Sequence, residues 1–272
     1  MLRLLAVALM FSACLPLVNT EERTATERAG GRLFPFERGI GIRAASDRQE
    51  SVYLWFYEWN MFDAMQRGQH TRGDWSVAAK FPNPGKATIE HDALQLIVTV
   101  VPDGAKLVLN VKNKTDYPFP EHAAIIPCFN PGPAKTRNPN FANTNTWFLA
   151  KAGLQKLSKR EIHFNSQLRS LVNATAKNGE YVWSPKWPLA EPDAFGGLIV
   201  RESTDGKWVA GIAWERFLSA QGHNPWECMH LSVRVGPLAP NDERTINGRI
   251  YLIEGRKEDL LKRYRKDFGV GN

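Results

Sequence analysis

Apolar and polar residues alternate in short runs along most of the chain, a pattern typical of β-strands. Two such runs span residues 92–111 on either side of a Pro-Asp-Gly turn, and they predict a hairpin. Residues 196–214 predict a second hairpin around an Asp-Gly turn. Residues 228–238 and 245–255 predict a third pair of adjacent strands.

One helix is predicted, at the C-terminal end, where Leu260, Leu261, Tyr264 and Phe268 have helical spacing. The sequence shows no heptads, no repeat of fixed period and no alternation of strands with helices. Many short strands with Gly, Pro and Asp turns predict an all-β fold. We expect a large antiparallel β-sandwich with a short C-terminal helix, formed as one domain by residues 51–272.

The N-terminal residues predict export. Residues 1–20 combine Arg3, an apolar run and a small or polar end, which is the layout of a secretory signal peptide. No later run reaches the roughly 18 apolar residues of a membrane-spanning helix. Residues 21–50 are charged and weakly periodic, and they predict a spacer with an extended lead-in around RLFPF. A secreted or periplasmic protein is therefore expected.

Cys14 leaves two outcomes open for this leader. It follows Ser-Ala, as in bacterial lipoprotein signals, although Phe11 stands where leucine is usual. The protein would then carry an N-terminal lipid anchor at Cys14. The alternative is ordinary cleavage near Ala13 or Thr20.

The charges of the chain argue against nucleic-acid binding. Lys and Arg number 35 against 28 Asp and Glu, a formal net charge of +7. The densest basic run, residues 255–268, is interleaved with Glu258, Asp259 and Asp267. A nucleic-acid-binding protein needs a patch of one sign or a recognition motif, and the sequence offers neither.

Beyond the predicted leader the chain has two cysteines, Cys128 and Cys228. An even number in an oxidising compartment is compatible with one disulfide between two distant strands. Two separate buried thiols are the alternative, because free cysteine packs like a small apolar residue.

The strand predicted at residues 228–235 has an apolar face and an unusual polar face. The polar face carries a thiol, an imidazole, a hydroxyl and a guanidinium, on Cys228, His230, Ser232 and Arg234. We interpret it as the lining of a ligand cleft, with His223 and His230 as hydrogen-bonding or acid–base groups. The alternative is a polar cluster between sheets that is satisfied internally.

A metal site at Cys228 and His230 is a further alternative, because thiolate and imidazole suit zinc and copper. Strong zinc signatures contain two close ligand pairs, and the sequence shows no second pair. We therefore predict no bound metal and no cofactor.

Glu58 is the candidate acid or base on another strand. Alternation in YLWFYEWN places it in line with Leu54 and Phe56, and burial raises the pKa of a glutamate. The alternative is a position at the strand end, in water or paired with an arginine. The candidate catalytic residues are Glu58, His223 and His230.

Nine tryptophans are present, several of them in predicted loops. A flat ring beside polar groups suits a sugar, because the ring covers the C–H face and polar groups take the hydroxyls. Such rings also close the ends of a sandwich as core. Function concentrates on loops held by a rigid scaffold. The candidate ligand-binding residues are Asp63, His70, Arg72, Trp75, Trp226 and Arg234.

The C-terminal run at residues 230–255, HLSVRVGPLAPNDERTINGRIYLIEG, resembles the last two strands of galactose-mutarotase-like supersandwich domains. The phrases FYEWNMFDAM, AAIIPCFNPG and GHNPWECMH resemble a group of uncharacterised secreted bacterial proteins. The first resemblance implies a carbohydrate ligand. Mutarotases use a His acid and a Glu base, but no segment here matches their catalytic motif, so the roles given to Glu58, His223 and His230 come from residue chemistry alone.

We predict an exported β-sandwich protein that binds a carbohydrate or another small polar ligand. The sequence leaves modification of that ligand open. The alternatives are a non-catalytic structural or interaction module of the cell envelope and a Cys/His metal-binding protein.

Overall fold

The computed structural model describes residues 30–37, 39–43, 51–60, 78–130, 141–177, 188–225 and 227–270, with the backbone alone at 57–60 and 175–177. These residues form sixteen strands: β1 (Arg32–Phe36), β2 (Gly39–Arg43), β3 (Ser51–Asn60), β4 (Lys80–Asn83), β5 (Lys86–His91), β6 (Leu94–Val101), β7 (Gly104–Lys112), β8 (Ala124–Asn130), β9 (Thr146–Ala150), β10 (Gly153–Lys156), β11 (Ile162–Phe164), β12 (Ala194–Glu202), β13 (Trp208–Trp214), β14 (Phe217–Gln221), β15 (His230–Arg234) and β16 (Glu243–Glu254). Two helices, α1 (Arg169–Lys177) and α2 (Lys257–Phe268), and a 3₁₀ turn at Asn143–Asn145 complete the described elements.

The strands form two antiparallel sheets. The first has the order β1-β2-β3-β8-β15-β14-β11, and the second has the order β10-β9-β12-β13-β16-β7-β6-β5-β4. The apolar sides of the two sheets share one core, to which both contribute fully buried side chains such as Leu54, Phe129, Leu96 and Ile250. The predicted all-β antiparallel sandwich with a short C-terminal helix is confirmed.

The first two predicted hairpins are confirmed. Strands β6 and β7 pair from Leu94 with Val111 to Val101 with Gly104. Gly104 has φ +136°, and a Cβ there would lie 2.0 Å from the Ile250 carbonyl oxygen, so this position of the turn requires glycine. Strands β12 and β13 form the second hairpin.

The third predicted strand pair is wrong. Strand β15 pairs with β14 and β8 in the first sheet, whereas β16 pairs with β13 and β7 in the second. The connection between β15 and β16, which was predicted to be a hairpin turn, crosses from the first sheet to the second. Packing decides this, because the apolar faces of β15 and β16 both turn into the shared core from opposite sides.

The two helices lie on the outer faces of the sandwich. Leu260 and Tyr264 of α2 pack on the outer side of the second sheet. The carboxylate of Glu202 accepts a hydrogen bond from the Lys257 backbone N–H (2.8 Å) at the start of α2, where a negative charge is favourable. Helix α1, which the sequence did not predict, covers part of the first sheet through Val172. Its nine residues are fewer than the roughly 12–15 that an isolated helix needs, so packing against the sheet stabilises it.

Tyr251 links β16 to helix α2 and gives stability a measurable dependence on alkaline pH. Its hydroxyl donates to Asp267 Oδ2 at 3.0 Å. Burial, and then the negative charge of Asp267, raises the pKa of Tyr251 above its ordinary value near 10. Above about pH 10 the Tyr251 hydroxyl loses its proton in the unfolded chain before it does so in the folded protein. The folded state then binds more protons, so the free energy of unfolding falls as the pH rises.

We therefore expect Tyr251→Phe to flatten the decline of unfolding free energy above about pH 10, by up to about 1.4 kcal/mol per pH unit. Urea titrations of both proteins at a series of pH values measure the slopes. The Tyr264 pKa is also raised by burial, so some slope remains in the variant. Equal slopes in the two proteins would contradict the assignment.

The extended lead-in predicted around RLFPF is strand β1, and it pairs with β2. Strand β2 in turn pairs with β3, so residues 32–43 extend the first sheet. The domain bounds stay a prediction, and the signal peptide predicted at residues 1–20 lies outside the described residues. In the part of the chain that is described, neither helix has the length and apolarity needed to cross a membrane.

Candidate functional site

The candidate site lies on the outer face of the first sheet, where β15 meets β8. Met229, Leu231 and Val233 point into the shared core, as the alternation predicted. The opposite side of β15 is also shielded from solvent, with His230 4% and Ser232 0% exposed. The polar face is therefore enclosed by protein.

The pairing of two backbones brings both cysteines to this face. Phe129 and Met229 exchange backbone hydrogen bonds of 3.0 and 2.8 Å. Antiparallel register then sets Cys128 opposite His230, with both side chains on the outer face. The polar face of β15 thus gains a second thiol from β8.

A compact group of two thiols and one imidazole results. The Sγ atoms of Cys128 and Cys228 lie 2.9 Å apart, and one ligand atom from each of these cysteines and from His230 falls within 4.8 Å of the others. The Asn130 side-chain N–H donates toward Cys228 Sγ at 3.5 Å and Cys128 Sγ at 3.8 Å. No disulfide joins these two cysteines in the described residues, and a bond between them stays a prediction.

An asparagine holds Cys228 in place. The Asn224 side chain accepts a hydrogen bond from the Cys228 backbone N–H (3.3 Å) and donates to the Cys228 carbonyl oxygen (2.8 Å). The Asn143 amide donates to the Asn224 carbonyl oxygen at 2.8 Å. The segment between β14 and β15 is thus held against the 3₁₀ turn before β9.

Arg201 of β12 reaches this segment from the second sheet and is 0% exposed. Its guanidinium donates to Thr146 Oγ1 (2.8 Å), the Glu227 carbonyl oxygen (2.8 Å) and Asn143 Oδ1 (3.1 Å). Burial lowers the pKa of Arg201 to about 10, and electrostatic interactions with Glu227, Cys228 and Cys128 oppose that shift. A buried cation therefore interacts electrostatically with the thiol pair.

The segment between β14 and β15 also stores backbone strain. His223 (φ +55°) and Glu227 (φ +59°) occupy the left-handed region, which costs non-glycine residues of the order of 1–3 kcal/mol each. His223 is half-buried, and its Nδ1 has no hydrogen-bond partner among the described residues. Strain of this kind persists where the surroundings hold the backbone firmly, which is common at functional sites.

Strand β3 lies beside the cysteine group and supplies aromatic side chains. Tyr53 pairs with Asn130 and Trp55 pairs with Cys128, but the register shifts between Trp55 and Trp59. Glu58 lies in that irregular stretch. The alignment of Glu58 with Leu54 and Phe56 therefore stays a prediction, because only the backbone of Glu58 is described.

The structure brings together some of the predicted site residues. His230, Cys128 and Cys228 form one group, and His223 belongs to the segment that precedes it. Arg234 lies at the other end of β15, where Nη2 forms an ion pair with Glu121 at 3.1 Å. Only the backbone of Glu58 is described. Five predicted ligand-binding residues lie outside the described residues: Asp63, His70, Arg72, Trp75 and Trp226.

Four residues around the cysteine group were not predicted from the sequence: Arg201, Asn130, Asn143 and Asn224. Arg201 did leave a signal, since it interrupts an apolar run at the same alternating position as the core residue Ile199. Asn130 and Asn143 both fall within residues 129–147, a stretch that is rich in Pro, Asn and Gly and has little periodicity. Their roles depend on contacts with segments distant in sequence.

Solved structures similar to this chain include galactose-mutarotase-like proteins. One from Lactobacillus casei ATCC 334 is 8% identical with a TM-score of 0.39, over 82% of this chain and 100% of its own. A galactose mutarotase related enzyme from Lactobacillus acidophilus is 7% identical with a TM-score of 0.39, over 83% and 98%. A candidate aldose 1-epimerase from Escherichia coli K12 is 9% identical with a TM-score of 0.36, over 82% and 79%.

No protein-family model matches the chain, and no similar sequence is found among curated proteins. The solved structures are of the kind that the resemblance of residues 230–255 led us to expect.

Proposed function

We propose that this protein is exported and binds a carbohydrate on the outer face of the first sheet. The observation that carries the proposal is a row of neutral polar side chains across neighbouring strands, with two aromatic rings beside it. The polar members are Asn130, Ser219, Gln221, His230 and Ser232, and the rings are Tyr53 and Trp55.

The chemistry of this row suits an uncharged ligand rich in hydroxyls. Amide, hydroxyl and imidazole groups both donate and accept hydrogen bonds, as sugar hydroxyls require. Trp55 is half-buried on β3, so its ring supplies an apolar surface at the edge of the row. A few placed polar groups beside aromatic rings are the usual equipment of small-ligand sites.

A catalytic role would fall to Glu58, His223 and His230. Imidazole can serve as a general acid or base. Strand β3, which contains Glu58, is adjacent to β8 in the sheet, and both histidines belong to β15 or the segment before it. Alanine at each of the three positions is expected to abolish turnover of a sugar substrate without unfolding the protein.

Export and anchoring are part of the proposal and depend on residues 1–20. Cleavage near Ala13 or Thr20 gives a secreted or periplasmic protein, and lipidation of Cys14 gives an anchored one. The mass of the mature N-terminal peptide from cells distinguishes these products.

The second candidate is a structural or interaction module of the envelope without catalysis. Ser219 Oγ and Ser232 Oγ lie 3.0 Å apart, and Gln221 Nε2 donates to Ser219 Oγ at 3.3 Å. These internal hydrogen bonds and the burial of the polar row favour it, because they satisfy and enclose part of the row without a ligand.

A binding measurement with matched tryptophan variants tests the proposal. We expect a glycan array followed by calorimetry to identify a bound saccharide, and Trp55→Ala to weaken its binding about tenfold or more. The control is Trp147→Ala, because Trp147 is also half-buried but lies on the second sheet, near Lys156 and Lys257. Absence of saccharide binding, or an equal loss in both variants, would count against the site.

A further inference from the structure

We propose that Cys128, Cys228 and His230 bind a thiophilic metal ion, with Zn²⁺ as the ion that fits best, and leave a fourth coordination position open. The proposal does not depend on sugar binding. It differs from the sequence-based metal alternative because Cys128, from a strand distant in sequence, supplies the third ligand.

The fold brings the three ligand atoms together. The paired backbones of Phe129 and Met229 direct all three side chains to one face of the sheet. Their ligand atoms lie within 4.8 Å of one another. In a tetrahedral zinc site with Zn–S near 2.3 Å and Zn–N near 2.0–2.1 Å, ligand atoms are roughly 3.5–3.8 Å apart. Small χ1 rotations that separate the sulfur atoms therefore suffice to admit the ion.

The surroundings favour the thiolate form that a metal requires. Thiolates form more easily beside a cation or an N–H donor. Arg201 interacts electrostatically with both sulfur atoms, and the Asn130 amide donates toward both. Metal binding therefore displaces fewer protons here than it would at two thiols in apolar surroundings.

Charge balance also fits a divalent ion. Two thiolates and one Zn²⁺ have no net charge, and the neutral imidazole adds none. The positive charge of Arg201 is then balanced by the carboxylate of Glu227. Among the nearby negative groups, Glu227 has the largest electrostatic effect on the Arg201 pKa. A buried site without net charge avoids most of the desolvation cost of unpaired ions.

Hydrogen bonds hold the residues around the three ligands in place. Asn224 fixes both backbone groups of Cys228, and Arg201 holds the carbonyl oxygen of Glu227 next to it. Such supporting contacts orient metal ligands before the ion arrives. A set of two Cys and one His is also that of catalytic zinc sites, in which water or substrate takes the fourth position.

The experiment uses the full chain with Cys14→Ser, so that Cys128 and Cys228 are the only thiols. The protein is reduced with a phosphine, both thiols are counted by titration, and Co²⁺ is added without air. We expect one equivalent of Co²⁺ to bind with a sulfur-to-cobalt charge-transfer absorption, and one equivalent of Zn²⁺ to displace it.

Variants locate the site. Cys128→Ser, Cys228→Ser and His230→Gln are each expected to weaken Zn²⁺ binding about 100-fold or more, measured against a chromophoric chelator, and Asn130→Ala about tenfold. The control is His91→Gln, at an exposed position at the end of β5, and it is expected to bind as the parent does.

Circular dichroism shows whether each variant is folded. Folded, reduced parent protein that takes up no stoichiometric metal would overturn the proposal, and so would unchanged affinity in folded Cys228→Ser. Protein isolated with no titratable thiols, which after reduction still takes up no metal, would establish the disulfide instead. Saccharide binding is measured separately on metal-free protein, so the two proposals can fail independently.

Discussion

Replacing Arg201 with methionine is expected to lower the free energy of unfolding by about 3 kcal/mol or more. The substitution leaves three acceptors without their donor: the buried Thr146 Oγ1 and the part-buried Asn143 Oδ1 and Glu227 carbonyl oxygen. Each unsatisfied buried group costs about 1–3 kcal/mol. Removing a desolvated guanidinium recovers part of that loss, so the net effect is smaller than the sum. Urea denaturation measures it.

The same substitution is expected to impair the cysteine group as well as stability. Arg201 holds the segment that contains Glu227 and contributes positive charge near both thiols. Arg201→Lys is the informative comparison, because it keeps the charge but loses the planar set of donors. We expect it to retain more metal affinity than Arg201→Met at similar stability. Wild-type stability in Arg201→Met would mean that these hydrogen bonds contribute nothing net.

Trp214→Ala is expected to cost about 3–5 kcal/mol, the range for removing a large buried aromatic side chain. Trp214 is 0% exposed between the sheets, and its ring centroid lies 6.4 Å from that of Phe56. This loss of free energy is a large fraction of the 5–15 kcal/mol by which most domains are stable. Thermal denaturation should show a melting point lower by roughly 6–20 °C.

Gly248 provides the matched control for that cavity. A Cβ at this position would lie 2.3 Å from Trp214 Cε3, so Gly248→Ala overpacks the core and is expected to cost about 1–3 kcal/mol. In the Trp214→Ala variant the methyl group of Gly248→Ala occupies the space that the indole ring has left. Most of the destabilisation caused by Gly248→Ala should then disappear. Additive effects in the double variant would show that the indole ring and Gly248 are not in close contact.

The fold was predictable where local chemistry decides the structure. Turn residues and alternation define the β6–β7 hairpin, since both features lie within residues 92–111. The pairing of β15 and β16 was not predictable in this way. Strand β16 pairs with β7, whose residues lie more than 130 positions earlier, and only packing in the core selects that partner.

The candidate site was predictable on one strand and not across strands. Alternation placed His230 and Ser232 on the face opposite Met229 and Leu231, and the structure agrees. The approach of Cys128 to Cys228 joins positions 100 residues apart, and the even number of cysteines left it as one of two alternatives. Arg201 reaches the site from the other sheet, which sequence periodicity does not describe.

The position of β16 has a consequence for how the protein is made. This strand spans Glu243–Glu254, close to the end of the chain, yet it lies in the middle of the second sheet between β13 and β7. A nascent polypeptide that stops short of residue 243 has two separate half-sheets with exposed facing edges and no strand to join them. The second sheet therefore cannot be completed until residues 243–254 have been synthesised and have paired with both neighbours.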